Sequence, residues 1–208
     1  MIELVQGSDE WRAIRAGKVT ASRFSDVMAK IKTGEAASRR DYRWELLTER
    51  LTSIACEGYT NRAMEWGTQH EDEAREAYEA ETGNLVQQVG FCTHPEHPMV
   101  GCSPDGLLDD DGGQEIKCPY SSVVHVQTLK GGMPSEHRPQ VQGSMWITDR
   151  AHWDFVSYDP RMPEHLRLYV ERIKRDDTYI AELAAEVIRF EAEVTRELQG
   201  LLLLRRAA

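Results

Sequence analysis

No apolar run in this 208-residue chain exceeds four residues, the leucines at 201–204. That is far short of the ~20 needed to cross a bilayer. The opening Met1-Ile2-Glu3 carries no basic stretch followed by an apolar one. No secretory signal is therefore expected, and a cytoplasmic address follows. Cysteine is scarce: Cys56, Cys92, Cys102 and Cys118 lie 36, 10 and 16 positions apart, and none forms a CxxC pair. A zinc or iron–sulfur site would have to be assembled from distant segments, so reduced, buried thiols are the expectation. Positive charge is also short, with 25 Lys and Arg against 35 Asp and Glu, a net charge of −10. Taken alone, that balance argues against a nucleic-acid partner. There is no internal repeat and no low-complexity segment.

What is present fits one soluble domain spanning 1–208, with 40% hydrophobic and 29% charged residues. The charge is uneven. Residues 1–50 hold ten Lys/Arg and eight Asp/Glu, for +2, and residues 51–208 hold fifteen against twenty-seven, for −12. Arg12/Arg15/Lys18, Lys30/Lys32 and Arg39/Arg40/Arg43 are the local basic clusters. Each reads first as a solvated helix face, although cations lining a groove would let an acidic protein hold DNA. The patterning predicts helices over 9–16 (capped by Ser8, stopped by Gly17), from Ser22 as N-cap to about Lys30, over 39–54 and over 62–82 with Gly83 as stop. Trp44, Leu47 and Leu51 mark the expected buried face of the third. Strands are predicted over 84–93, 99–101, 114–118, 152–158 and 166–173, with a helix over 139–147 and a closing helix over 177–203. The order implies an α/β fold with a central mixed sheet flanked by helices. Helices in 8–56 precede a core at about 62–175.

The most informative stretch runs from Cys102-Ser103-Pro104-Asp105 through an Asp- and Gly-rich turn at 109–113 to Glu115-Ile116-Lys117. On a strand Glu115 and Lys117 are two apart and share a face. The turn can fold Asp105 back beside Glu115. Two carboxylates with the Ile116 carbonyl make a hard-oxygen site suited to Mg²⁺, which keeps several waters. Phosphodiester hydrolysis needs an in-line hydroxide, counter-charge for the transition state and help for the leaving alkoxide; a divalent ion supplies the first two. Lys117 can orient the nucleophile or stabilise charge. Crowding by acids should keep it charged unless burial outweighs them. The bland account is an acidic hairpin followed by an exposed Glu-x-Lys pair, but the combination at this spacing favours a metal-dependent nuclease centre.

The Pro104-Asp105…Glu115-x-Lys117 arrangement resembles the PD-(D/E)xK nuclease superfamily, with its restriction-endonuclease-like core. Six ordered blocks make the resemblance closer. They begin at Trp11, Trp66, Cys102, Glu115, Gln140 and Tyr158, and run from about Gly7 to Asp177. They are similar to the phage lambda-type exonucleases, the viral alkaline exonuclease or YqaJ-like recombinase family. The resemblance implies Asp105 and Glu115 as metal ligands, Lys117 as catalytic lysine, and Glu71 as support for a second metal or its water. Either Gln140 or Gln142 would face the site. It implies two ions, Mg²⁺ or Mn²⁺, and a 5′-phosphate pocket from Arg15, Thr20, Ser22 and Ser103. Ser22 at a helix N-terminus and the forked Arg15 suit an anion. Met64, which without the family reads as core, would help to part the duplex.

The implied activity is 5′→3′ degradation of one strand of linear duplex DNA from 5′-phosphorylated ends, releasing 5′-mononucleotides. The 3′ tails left behind would feed a single-strand annealing recombinase in phage or prophage recombination. The implied assembly is a homotrimeric ring in a bacterial cytoplasm. The leucines at 201–204 could bury a subunit contact, or simply end a packed helix. The sequence departs from the phage lambda protein at His70 and Gly143, where that protein has tyrosines, and over 31–40, so DNA contacts there do not transfer. An endonuclease on the same fold and a non-catalytic DNA-end-binding protein are the alternatives.

Overall fold

A computed structural model describes residues 4–56, 61–108 and 111–204. Ser8 caps α1 (Asp9–Arg15) by accepting the Trp11 amide, and Gly17 breaks the chain away with a φ of 73°. Strand β1 (Val19–Thr20) leads into a 3-10 turn at Ala21–Arg23 and a short α2 (Phe24–Val27). The expected helix from Ser22 to Lys30 does not form. Ser22 lies inside the turn, Thr20 takes the N-cap position without a side-chain bond, and the helix stops at Val27. Burial of Phe24 and Val27 directs this stretch, not capping.

Helix α3 (Ala37–Thr52) buries a face rotated from the expected one: Leu47 is buried as expected, but Trp44 and Leu51 are exposed, and Tyr42, Leu46 and Glu49 are buried instead. Two polar-tipped residues account for this. Tyr42 stacks on Phe190, 5.6 Å between centroids, and its hydroxyl accepts the Thr20 amide. The Glu49 carboxylate accepts the amides of Gly17 (2.7 Å) and Cys56 (2.8 Å). Arg40 is solvated as expected, beside exposed Asp41, but the other cations of α3 are not. Arg39 pairs with Glu186 and Glu193, Arg43 with Glu197 and Arg50 with Glu191, tying α3 to the closing helix. Helix α4 (Arg62–Thr82) occurs as expected, capped by Asn61 and ended by Gly83 in the left-handed region.

Residues 84–93 do not make one strand. They divide into β2 (Val86–Gln87) and β3 (Cys92–Thr93), which join different sheets. In the smaller sheet β4 (Val100–Cys102) lies between β1, parallel, and β3, antiparallel. The central sheet has the order β2-β5-β6-β7-β8, built from β5 (Gly106–Leu108), β6 (Gly112–Lys117), β7 (His152–Tyr158) and β8 (Leu168–Lys174). Only β6–β7 is parallel in it, so the sheet is mixed, as expected. A Cβ at Gly113 would come within 2.2 Å of the Trp153 ring, so only glycine lets that indole lie against β6.

Helix α5 (Ser122–Gly131) was not anticipated, because its β-branched valines are weak helix formers. Buried His125 anchors it, one ring nitrogen 2.7 Å from Ser157 Oγ and the other 2.8 Å from the Leu166 carbonyl oxygen. Helices α6 (Arg138–Thr148) and α7 (Asp177–Leu203) follow the predicted periods. Leu183, Val187, Phe190 and Val194 of α7 are all fully buried, in a core shared with α2, α3, α6 and the smaller sheet. A second cluster packs Ala74 and Tyr78 of α4 against Ile116, Cys118, Val156 and Tyr158, on one face of the central sheet. The leucines at 201–204 are exposed. No helix among the described residues is long and apolar enough to cross a membrane.

Candidate active site

Pairing of β5 with β6 ends at Gly106↔Gln114, while β7 accompanies β6 to Lys117↔Ser157. The last part of β6 therefore has one open edge. Asp105, the residue before β5, fills it, and its Oδ2 accepts the Ile116 amide at 2.6 Å. The N–H and C=O of a strand residue point to the same side. The Ile116 carbonyl consequently opens toward Asp105, where the sequence required a third oxygen ligand. Alternation along β6 sends Glu115 and Lys117 to the face opposite Ile116.

Glu115 is almost fully buried, and its Oε1 accepts both Lys117 Nζ (2.5 Å) and Gln140 Nε2 (2.6 Å). Its Oε2 is buried with no hydrogen-bond partner. A buried, orphaned carboxylate oxygen is costly unless something positive meets it, and a divalent cation would. Burial, then Glu115 and Glu71, push the Asp105 carboxyl well above its usual range. Burial and Glu115 raise Glu71 in the same sense. Such crowding of acids suits a cation. The residues thus fit a hard divalent ion held by Asp105, Glu115 and the Ile116 carbonyl, with Glu71 on α4 beside them. Among the described residues no group of three or more acidic, His or Cys side chains could hold a metal ion by itself, so the Ile116 carbonyl and water would have to complete the set. Burial pulls the Lys117 amine down, but Glu115 and Asp105 outweigh it, so it sits above its ordinary value and stays charged.

Only one of the two glutamines faces this centre. Gln140 touches Glu115 and lies 3.5 Å from Lys117. Gln142 is turned away: its amide donates to the Lys174 carbonyl and accepts the Asp176 amide, clamping β8 to the start of α7. Residues two apart on a helix point about 200° apart, so both could not serve. His137, one turn before Gln140, is a neighbour that sequence reasoning missed. Its ring stacks on Phe155 at 5.4 Å, and burial together with the Lys117 charge lowers its pKa to about 4. A lone histidine outside any motif gave no signal for it.

The parallel pairing of β1 with β4 gathers the anion-pocket candidates, since Thr20 lies opposite Gly101 and Ser103 follows β4. Arg15 Nη1 donates to Ser103 Oγ at 2.7 Å, and Trp11 Nε1 donates to the same oxygen at 3.0 Å. With two donors on its oxygen, the Ser103 hydroxyl keeps its own proton for another acceptor. The Arg15 guanidinium rests 4.1 Å from the Trp11 ring centroid and has no ion pair among the described residues. Thr20 is buried, its Oγ1 3.3 Å from Ser22 Oγ. Ser22 is exposed but does not head a helix of useful length, so the dipole argument for it fails. Met64 is 53% exposed on α4 and is not core. Gly143 faces no solvent: a Cβ there would meet Phe24 at 2.4 Å. Cys56, Cys92, Cys102 and Cys118 are free thiols; all but Cys56, which is exposed, are buried as expected, and Cys92 pairs in register with Cys102.

Comparison with known proteins gives this geometry a context. The chain is 41% identical over 56 residues to ExoD, an uncharacterized protein of Escherichia coli strain K12. That match takes in 27% of this chain and 63% of ExoD, less than two thirds of the relative. The fold is similar to that of an alkaline exonuclease, LHK-Exo from Laribacter hongkongensis, with a TM-score of 0.87 and 45% identity over 96% of this chain and 98% of that one. Against LHK-Exo in complex with dAMP the TM-score is 0.88. A phage-related exonuclease from Haemophilus somnus 129PT, 16% identical over 89% of this chain and 95% of its own, shares the fold at a TM-score of 0.63. The mixed sheet flanked by helices is thus the fold of a PD-(D/E)xK-type nuclease core. Residues 10–151 match the profile of the YqaJ-like viral recombinase domain, and the chain belongs to that family of alkaline exonucleases.

Proposed function

We propose that this chain is a Mg²⁺-dependent 5′→3′ exonuclease. It degrades one strand of linear duplex DNA from 5′-phosphorylated ends, releases 5′-mononucleotides and leaves 3′ single-stranded tails. The observation that carries the reading is the adjacency of two sites. Ser103, which bonds Arg15, and Asp105, which faces Glu115 and Lys117, are separated only by Pro104. A terminal phosphate on Arg15 and Ser103 would set the next phosphodiester close to the acids.

One or two divalent ions, Mg²⁺ or Mn²⁺, would be held by Asp105, Glu115, the Ile116 carbonyl and Glu71, and would supply the activated water and counter-charge. The charged Lys117 orients the attacking water and offsets negative charge on the phosphoryl oxygens. Gln140 fixes the Glu115 carboxylate by holding Oε1 and leaving Oε2 to the ion. Exposed Met64 is proposed to part the terminal base pair. The protein would act as a homotrimeric ring in a bacterial cytoplasm and hand its tails to a single-strand annealing recombinase. The exposed leucines at 201–204 offer one apolar surface for such contacts.

End-labelled linear duplex tests the reading. With Mg²⁺ the 5′ label should be released early and the 3′ label late, while closed circular plasmid stays intact. Early 3′ release, or cutting of the circle, would overturn it.

A further inference from the structure

We infer that Tyr120 is the stacking surface for the base of the nucleotide being hydrolysed. This rests on the nuclease reading above and extends it from phosphate contacts to a base contact. Tyr120 follows Lys117 by three residues, no more than about 11 Å of chain, and on the other side His70 directly precedes Glu71. The space between them is filled by Trp66. Its ring lies 3.9 Å from the His70 ring and 4.3 Å from the Arg161 guanidinium. Tyr120 stands edge-on to Trp66, at 6.0 Å and 83°, and remains 50% exposed.

The tyrosine is also held in place. Arg161 donates to the carbonyls of Pro119 (3.2 Å) and Tyr120 (3.0 Å) and grips both oxygens of Asp159 at 2.7 and 2.9 Å. Burial would raise the Asp159 carboxyl, but Arg161 holds it down at about 2, in keeping with a charged pair. An aromatic ring that is half-open, braced edge-on by an indole, carried on a backbone that Arg161 holds, and three residues from Lys117 has little packing purpose. It does suit base stacking, which needs a rigid π-surface and tolerates any sequence. Within one nucleotide's reach of the scissile phosphate, the base it meets belongs to the strand being degraded.

Wild type, Tyr120→Phe and Tyr120→Ala should be compared on 5′-phosphorylated linear duplex whose terminal nucleotide is either intact or abasic. On intact DNA, Tyr120→Ala should lose about tenfold in kcat/KM, and Tyr120→Phe should match wild type. The abasic end should cost wild type a similar factor and Tyr120→Ala little more. An alanine variant as active as wild type, a phenylalanine variant as poor as alanine, or an equal abasic penalty in all three would overturn the inference. Should Tyr120→Ala fail to fold, Tyr120→Leu keeps apolar bulk without a π-face and is held to the same outcomes. If wild type releases no nucleotide from intact DNA, the nuclease reading itself has failed and the base contact falls with it. Normal wild-type release with insensitive Tyr120 variants removes the base contact alone.

Discussion

Replacing Gln140 and Gln142 separately by alanine should split function from stability. Gln142 is 2% exposed, and its amide bridges the Lys174 carbonyl and the Asp176 amide. Removing it loses two part-buried hydrogen bonds at about 1 kcal/mol each, and truncating the fully buried side chain adds about 1 kcal/mol more. A total near 3 kcal/mol is expected. At about 2–4 °C per kcal/mol for a domain of this size, the melting temperature should fall by roughly 6–12 °C. Gln140 is half-buried and spends its amide on Glu115 Oε1 at 2.6 Å. Its loss should leave the melting temperature nearly unchanged. Turnover should fall by about 10- to 100-fold, the usual cost of removing a group that orients a metal ligand. Differential scanning fluorimetry and release of acid-soluble nucleotide from linear duplex read the two effects. If Gln142→Ala stops turnover without destabilising the fold, or Gln140→Ala destabilises it and leaves kcat intact, the assignment of the two amides is wrong.

Lys117→Ala should fold normally and lose nearly all turnover, and wild-type rates in that variant would reject its role. Asp105 and Glu71 have raised pKa values. Their protonated forms therefore stabilise the metal-free fold fully below the ordinary carboxylate range, and this contribution is lost as pH rises through the raised values. The melting temperature without metal should accordingly fall between mildly acidic and mildly alkaline pH more steeply than in Asp105→Asn. Mg²⁺ should restore more at alkaline than at acidic pH, and a uniform Mg²⁺ effect would contradict the proposed ligands. Arg15→Ala should lose most of the preference for 5′-phosphoryl over 5′-hydroxyl ends, about tenfold or more for a charge-assisted contact. Equal wild-type rates on both ends would reject the pocket.

Long elements with one strong period were legible in the chain. Helix α4 lies between Asn61 and Gly83, β7 occupies 152–158, and α7 buries Leu183, Val187, Phe190 and Val194 on one stripe. Elements whose direction comes from tertiary contact were not. The buried face of α3 is set by a tyrosine hydroxyl and a carboxylate, groups that hydropathy counts as solvent-facing. Helix α5 depends on His125 finding Ser157 and Leu166 across the fold. In the site, Asp105, Glu115 and Lys117 were readable because one hairpin carries all three. Glu71 and Gln140 come from separate helices, and only the family resemblance singled them out. His137 and Tyr120 belong to no recognisable spacing.

The open edge of β6 has a bearing on solubility. A strand with one bare side is a template on which another chain can add, and proteins guard such edges with charge. Here Asp105 occupies the one amide that would start the pairing, and Glu115 and Glu71 set up a field hostile to a neighbouring backbone carbonyl. The acid that would hold the ion therefore also satisfies the one amide that strand pairing leaves over. Asp105→Ala would remove the guard along with the ligand. Its inactive preparations should be checked by light scattering before the loss is ascribed to chemistry.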